Sequence, residues 1–163
     1  MFFKTTKNSL ENYRELIVSA CNILDERYHP EKHKNASALE CTDGTIINGI
    51  NVKATGGGPC AEISALSNAL VNGYSKFNRI VTVRFNENKE LFVVSPCGMC
   101  RQMIYDYCPT TKVLLPWEES QNTQNIIEIN SKVHPKLIDQ KLVAATIDEI
   151  LPYAFKSKFA KEL

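Results

Sequence analysis

Three cysteines and one glutamate constrain this chain more than anything else in it. Cys60 and Glu62 lie in Thr55–Glu62 (T-G-G-G-P-C-A-E), and Cys97 and Cys100 lie in Ser95–Gln102 (S-P-C-G-M-C-R-Q). Thiolates are good zinc ligands. Three protein ligands leave the fourth tetrahedral position open, as in a catalytic site, whereas structural zinc takes four. No His falls within either stretch to close the shell. Cys97 and Cys100 are three apart, so a helix beginning there puts both thiols on one face. Pro59 and Pro96 each precede a cysteine, which predicts proline in the first turn of a helix. Both stretches therefore read as helix N-termini pointed at one metal. Three thiolates leave the first shell of Zn²⁺ negative, and helix N-termini offset this with unpaired N–H groups and partial positive charge. Arg101 is a candidate donor to one of the zinc sulfurs.

Glu62 stands two residues after the first ligand, close enough to reach a water on the metal without ligating it. A carboxylate there can take that water's proton, pass it to a ring nitrogen and protonate a departing amine. Cys-x-Glu followed by Pro-Cys-x-x-Cys is the pattern of zinc enzymes that remove the amino group of cytosine or adenine. A structural zinc or plain buried cysteines would explain a lone C-x-x-C. The spacing, the prolines and Glu62 together favour catalysis.

Length and charge narrow the rest. At 163 residues the chain suits one domain over 1–163, with 116–140 as an insertion and 156–163 as a tail. Net charge is +1, from 19 basic and 18 acidic residues, which offers no field for nucleic acid. No apolar run approaches the roughly 20 residues that span a membrane. The start, M-F-F-K-T-T-K-N-S, is too short and polar for a secretory signal, so the expected location is the cytoplasm. Cys21, Cys41 and Cys108 form an odd set without disulfide spacing and read as reduced, buried thiols.

Taken in order, Ser9 is an N-cap for a helix to about Tyr28, with Leu10, Tyr13, Leu16, Ile17, Ala20, Ile23 and Leu24 on one apolar face. Tyr28–Lys34 is a polar loop; Pro30 argues against a helix that would pair His29 with His33 as ligands. Asn35–Cys41 and Thr45–Lys53 read as a hairpin around Thr42-Asp43-Gly44. Gly56–Gly58 lacks the Gly-Lys-Ser/Thr of a phosphate loop and predicts close backbone approach to the ligand just before the second helix. That helix runs from Pro59 to about Asn72. Arg79–Phe85 is a buried strand, and Leu91–Val94 either pairs back on it or leads directly into Ser95. A third helix runs to about Tyr107, followed by strands at Lys112–Leu115 and Lys141–Ala144. Asn125–Asn130 is a candidate short strand. Trp117 is read as covering the sheet edge. Thr146–Glu149 is a capping box opening a last short helix. The elements predict an α/β fold with three layers, α/β/α, around a central mixed sheet of about five strands.

With these pieces in view, the chain resembles the cytidine deaminase superfamily, in its small homo-oligomeric branch with three cysteine ligands. Ala36–Leu39, Asp43–Val52, the two zinc stretches, Asp106–Pro109 and Thr146–Tyr153 carry the resemblance, which extends from the first helix to Phe155. Within the branch it is similar to the blasticidin-S deaminases. The resemblance implies one Zn²⁺ per subunit, a tetramer or dimer, and deamination of a cytosine nucleoside. It implies that the Ala61 amide and the backbone at Ser95 and Pro96 hold the base edge, and that Asn51 faces the sugar. It implies that Tyr153 or Phe155 reaches a neighbouring subunit's pocket. Two positions depart from cytidine deaminases. Their Asn-x-Glu is Asn51-Val52-Lys53 here, and the Arg that often follows the catalytic Glu is Ile63. Blasticidin-S deaminases lack both residues. Blasticidin S carries a carboxylate on its sugar ring, which a lysine at 53 would suit. The competing expectations are an ordinary cytidine or deoxycytidine deaminase, a nucleic-acid-editing deaminase, and a zinc-stabilised module without activity.

Overall fold

The computed structural model describes residues 10–118 and 125–157. Helix α1 (Leu10–Arg27) buries Tyr13, Leu16, Ile17, Ala20, Cys21 and Leu24 along one face. The expected cap at Ser9 lies outside the described residues. Strands β1 (Asn35–Cys41) and β2 (Ile46–Ile50) form an antiparallel hairpin in which Ala36 faces Ile50 and Glu40 faces Ile46. Its turn holds Gly44 at φ +89°, a left-handed conformation that glycine adopts without steric cost. Asp43 Oδ1 accepts the Thr45 N–H there at 2.9 Å.

Helix α2 (Ala61–Val71) leads to β3 (Phe77–Phe85) and β4 (Leu91–Val93). Helix α3 (Gly98–Tyr107) leads to β5 (Lys112–Pro116). Then follow β6 (Ile127–Ile129), β7 (Gln140–Ala145) and α4 (Ile147–Ile150). The sheet order is β2-β1-β3-β5-β7-β6, with β4 paired to β3. Of the strand pairs among the described residues, only β3 and β5 run parallel, and α3 makes their crossover. The five longer strands match the expected count; β4 and β6, three residues each, bring the sheet to seven among the described residues.

Both faces of the sheet are covered. On β3, Val81 and Val83 join the core beneath α1, while Ile80 joins the core beneath α2 and α3. On β5, Leu114 points to the first core and Val113 and Leu115 to the second, as the two-residue period of a strand requires. Cys21, Cys41 and Cys108 are buried free thiols. A buried Ser37–Thr82 hydroxyl pair, 2.6 Å apart, joins β1 to β3.

Residues 119–124 of the 116–140 stretch lie outside the described residues. The rest is packed: Ile127, Ile129, Val133 and Leu137 are buried in the first core. Leu91 N–H bonds Lys136 O at 2.7 Å, which pins the stretch to β4. Trp117 extends β5 rather than covering an outer edge. Its backbone N–H bonds Lys141 O at 2.9 Å and its ring packs on the second core.

Candidate active site

The two zinc stretches do begin helices, each starting two residues after the proline expected in its first turn. Cys60 is the N-cap of α2 (φ −65°, ψ 161°) and Cys97 the N-cap of α3 (φ −68°, ψ 172°). Pro59 and Pro96 therefore stand before the cap instead of in the first turn. There their fixed φ stiffens the extended entry to the cap. The extended caps bring Cys60 and Cys97 to within 3.7 Å, sulfur to sulfur. Cys100, in the first turn of α3, completes a trio whose sulfurs all lie within 4.8 Å of one another.

This donor set fits zinc. Sulfurs around a tetrahedral zinc with bonds of about 2.3 Å are about 3.8 Å apart, close to the Cys60–Cys97 separation. The thiols differ in acidity without a metal. Burial pushes Cys60 and Cys100 up, and the Glu62 charge adds to the effect on Cys100. Burial also acts on Cys97, but N–H groups of Cys100 and Met99 and the neighbouring thiols outweigh it and hold Cys97 below the usual range. Those amides point at the sulfur without closing a formal cap hydrogen bond. A cation that takes all three as thiolates removes the conflict.

Glu62 is 5% exposed and has no hydrogen-bond partner among the described residues. Ala61, fully buried, opens α2, so its N–H has no partner within the helix. Ser95 is exposed and its backbone groups are unpaired among the described residues. The Pro96 carbonyl accepts Arg101 Nε at 3.0 Å, and Arg101 Nη1 donates to Ile150 O at 2.7 Å. Arg101 thus braces the peptide before Cys97 and ties it to α4. Among the described residues the hydrogen bonds of Arg101 go to these two carbonyls and none goes to a sulfur of the thiol cluster.

Beside the first zinc ligand, the loop before β1 is strapped to residues 51–53, which the sequence places in the second strand and the structure places after it. Val52 N–H bonds Pro59 O at 3.0 Å, which sets residues 51–53 beside the first zinc ligand. Asn51 Oδ1 accepts the N–H groups of Lys34 and Asn35 at 2.8 and 2.9 Å, and His33 Nδ1 donates to Asn51 O at 2.8 Å. Lys53 N–H bonds Lys32 O. Asn51 is therefore committed to holding the strap through one oxygen, while its amide nitrogen gives one bond to Lys32 O. His29 and His33 are joined by paired backbone bonds in a tight turn and belong to no metal cluster among the described residues.

Two glycines position the site. A Cβ at Gly49 of β2 would sit 2.2 Å from Ala65 N and 2.5 Å from Ala61 O, so the strand lies directly against the first turns of α2. A Cβ at Gly58 would sit 1.8 Å from Val52 O. The close approach expected of the glycine run is thus to the chain's own backbone, at Gly58 alone; Gly56 and Gly57 supply positive φ. The signal for Gly49 is a lone glycine inside a strand pattern. Tyr153 and Phe155 are both exposed, and Tyr153 adopts φ +58°.

A fold with two helix N-termini converging on three thiols and a buried carboxylate defines a class of zinc-dependent deaminases, and comparison with known proteins agrees. The model of the cytidine and deoxycytidylate deaminase zinc-binding region matches residues 10–115, and the chain belongs to that family. It is 33% identical over 156 residues to the blasticidin-S deaminase of Bacillus cereus, covering 92% of this chain and 96% of that one. It is 30% identical over 147 residues to a cytidine deaminase of Halalkalibacterium halodurans, covering 88% and 93%. Among solved structures, the cytidine deaminase from Burkholderia pseudomallei superposes with a TM-score of 0.64 at 27% identity, over 88% of this chain and 98% of that one. The chain is an enzyme, a zinc-dependent aminohydrolase. No helix among the described residues is long and apolar enough to cross a membrane.

Proposed function

We propose that the chain hydrolyses the amine of a cytosine-bearing nucleoside antibiotic with an acidic sugar, blasticidin S above all, to give the uracil form and ammonia. The observation that carries this reading is Lys53. The Val52–Pro59 hydrogen bond holds it beside Cys60, and it has no acidic partner among the described residues. Lys32 and Lys34 on the strap are likewise without ion pairs there, so the sugar side is cationic where cytidine deaminases place a carboxylate. Near-full-length similarity to a blasticidin-S deaminase supports the same choice.

Cys60, Cys97 and Cys100 would hold a zinc ion, which would supply a nucleophilic water at neutral pH. Glu62 would take one proton from the attacking water and deliver it to N3 of the cytosine ring, then carry the proton of the new C4 hydroxyl to the amine, so that C4=O forms as the C–N bond breaks and ammonia leaves. Its burial keeps those protons inside the site. The Ala61 N–H and the Ser95–Pro96 backbone hold the base edge. Asn51 and Lys53 face the sugar. Tyr153 and Phe155 extend to a neighbouring copy's pocket in a homo-oligomer, a dimer or tetramer. The activity belongs in the cytoplasm, where the thiols stay reduced.

Ordinary cytidine deamination is the second reading, favoured by the retained Asn51 and by the structural likeness to cytidine deaminases. Loss of cytosine absorbance, with cytidine, deoxycytidine and blasticidin S assayed side by side, decides between them. Turnover of blasticidin S alone is the expected result. Lys53→Glu should then raise its KM about tenfold, equivalent to roughly 1.4 kcal/mol. Turnover of cytidine at comparable kcat/KM would overturn the antibiotic reading.

A further inference from the structure

The C-terminal segment leaves α4 at Ile150 and is held against α3 at three points. Arg101 Nη1 donates to Ile150 O at 2.7 Å. Gln102 Nε2 donates to Phe155 O at 2.9 Å and to Asp106 Oδ1 at 3.0 Å. The same Asp106 oxygen accepts Ser157 Oγ at 3.2 Å. Gln102 and Asp106 are four residues apart and so share one face of α3. Between the outer anchors, Tyr153 sits at φ +58° and is fully exposed, and the Phe155 side chain is 74% exposed. A left-handed tyrosine is uncommon and disfavoured by its Cβ, and it persists where surrounding bonds over-determine the backbone. Here the bonds on either side do so while both aromatic rings are left uncovered.

We propose that Gln102 and Asp106 are positioning residues: they form a clamp that fixes the direction of the Ile150–Ser157 arm and presents Tyr153 and Phe155 for the reaction. The inference rests on the reading above that this arm extends its aromatic rings to a neighbouring copy's pocket. Gln102 uses both amide protons at once, one on the arm and one on Asp106, so the pair locks as a unit. Because the clamp is on the helix that bears Cys97 and Cys100, the arm takes its position from the zinc helix and not from the α4 tether alone.

Brief chymotrypsin digestion reads the clamp, since the protease cuts after exposed Tyr and Phe in released segments. In Gln102→Ala and Asp106→Ala, cleavage after Tyr153 and Phe155 should accelerate roughly fivefold, the scale of one lost hydrogen bond. KM should rise several-fold with kcat and zinc content unchanged. Asp106→Asn keeps an acceptor oxygen and should behave as the parent in both assays. Unchanged cleavage in the alanine variants would overturn the clamp. Faster cleavage with unchanged KM would overturn its role in the reaction, and so would loss of zinc with a fall in kcat. A parent enzyme that turns over none of the three nucleosides would overturn the proposed function instead, while cleavage rates and the Asp106→Asn rescue still decide the clamp.

Discussion

Glu62 occupies an unusual place for a carboxylate: buried, beside three thiols, with no hydrogen-bond donor among the described residues. Taking a carboxylate largely out of water is costly unless the group has work to do there. Glu62→Gln keeps the shape and removes the base. It should cut kcat by about 10²–10⁴-fold, the usual worth of a general acid–base. Zinc content, measured by atomic absorption, should stay at one per chain. Equal activity in the variant would exclude Glu62 as the proton carrier. The residues of this cluster are legible in the sequence because zinc chemistry demands both their types and their spacing. Arg101 is not legible in the same way. Its neighbour in sequence is a zinc ligand, but its guanidinium reaches Pro96 and Ile150 instead, the latter a partner 49 positions away that no local pattern announces.

At the scale of elements, legibility follows burial periodicity. Helix α1 carries a long stripe of apolar residues, and its buried set is the expected face less Leu10 and Ile23, which are half-buried, with Cys21 added. β3 is a β-branched run and forms as one. The three-residue strands β4 and β6 are too short for an alternation to show, and each owes its pairing to a neighbour: β4 to β3, β6 to β7. The contact between β2 and α2 is also hidden in the sequence, since only three dimensions show what a missing Cβ makes room for. Gly49→Ala would drive a methyl into the backbone of Ala61 and Ala65. We expect a loss of about 1–3 kcal/mol, the cost of overpacking, visible as a lower denaturation midpoint. Because the displaced turn follows Cys60, zinc affinity in a competition titration should fall too. A variant with parental midpoint and affinity would show that the strand and helix separate freely.

Over the whole molecule, two buried thiols on opposite sides of the sheet set a ceiling on alkaline stability. Cys21, under α1, is pushed up by burial, and then by Asp25, to about 12; Cys108, at the end of α3, is pushed up by burial to about 11. An unfolded thiol ionises near pH 9. Above that pH the unfolded chain has lost protons that the native chain keeps. Stability should therefore fall as pH rises from about 9 toward about 11, by about 1.4 kcal/mol per thiol per pH unit. Urea midpoints between pH 8 and 10.5 check this, and Cys21→Ala should make the slope shallower. Chelation acts on the whole fold as well. Removing the metal leaves three thiols and Glu62 crowded together, so the melting temperature should drop and recover with Zn²⁺ but not with Mg²⁺, which prefers oxygen ligands.

The separation of the ligands along the chain also gives metal capture an order in time. Cys97 and Cys100 belong to one turn of α3 and can grip an ion as soon as that turn forms. Cys60 meets them only when the β1–β3 and β3–β4 pairings have folded the intervening chain back on itself. During synthesis at about 5–20 residues per second, Cys60 waits a few seconds for its partners to be made. A tightly held ion is thus a sign that the centre of the sheet is already in place, and a chain that stalls before β3 pairs can hold zinc only loosely, by its local pair.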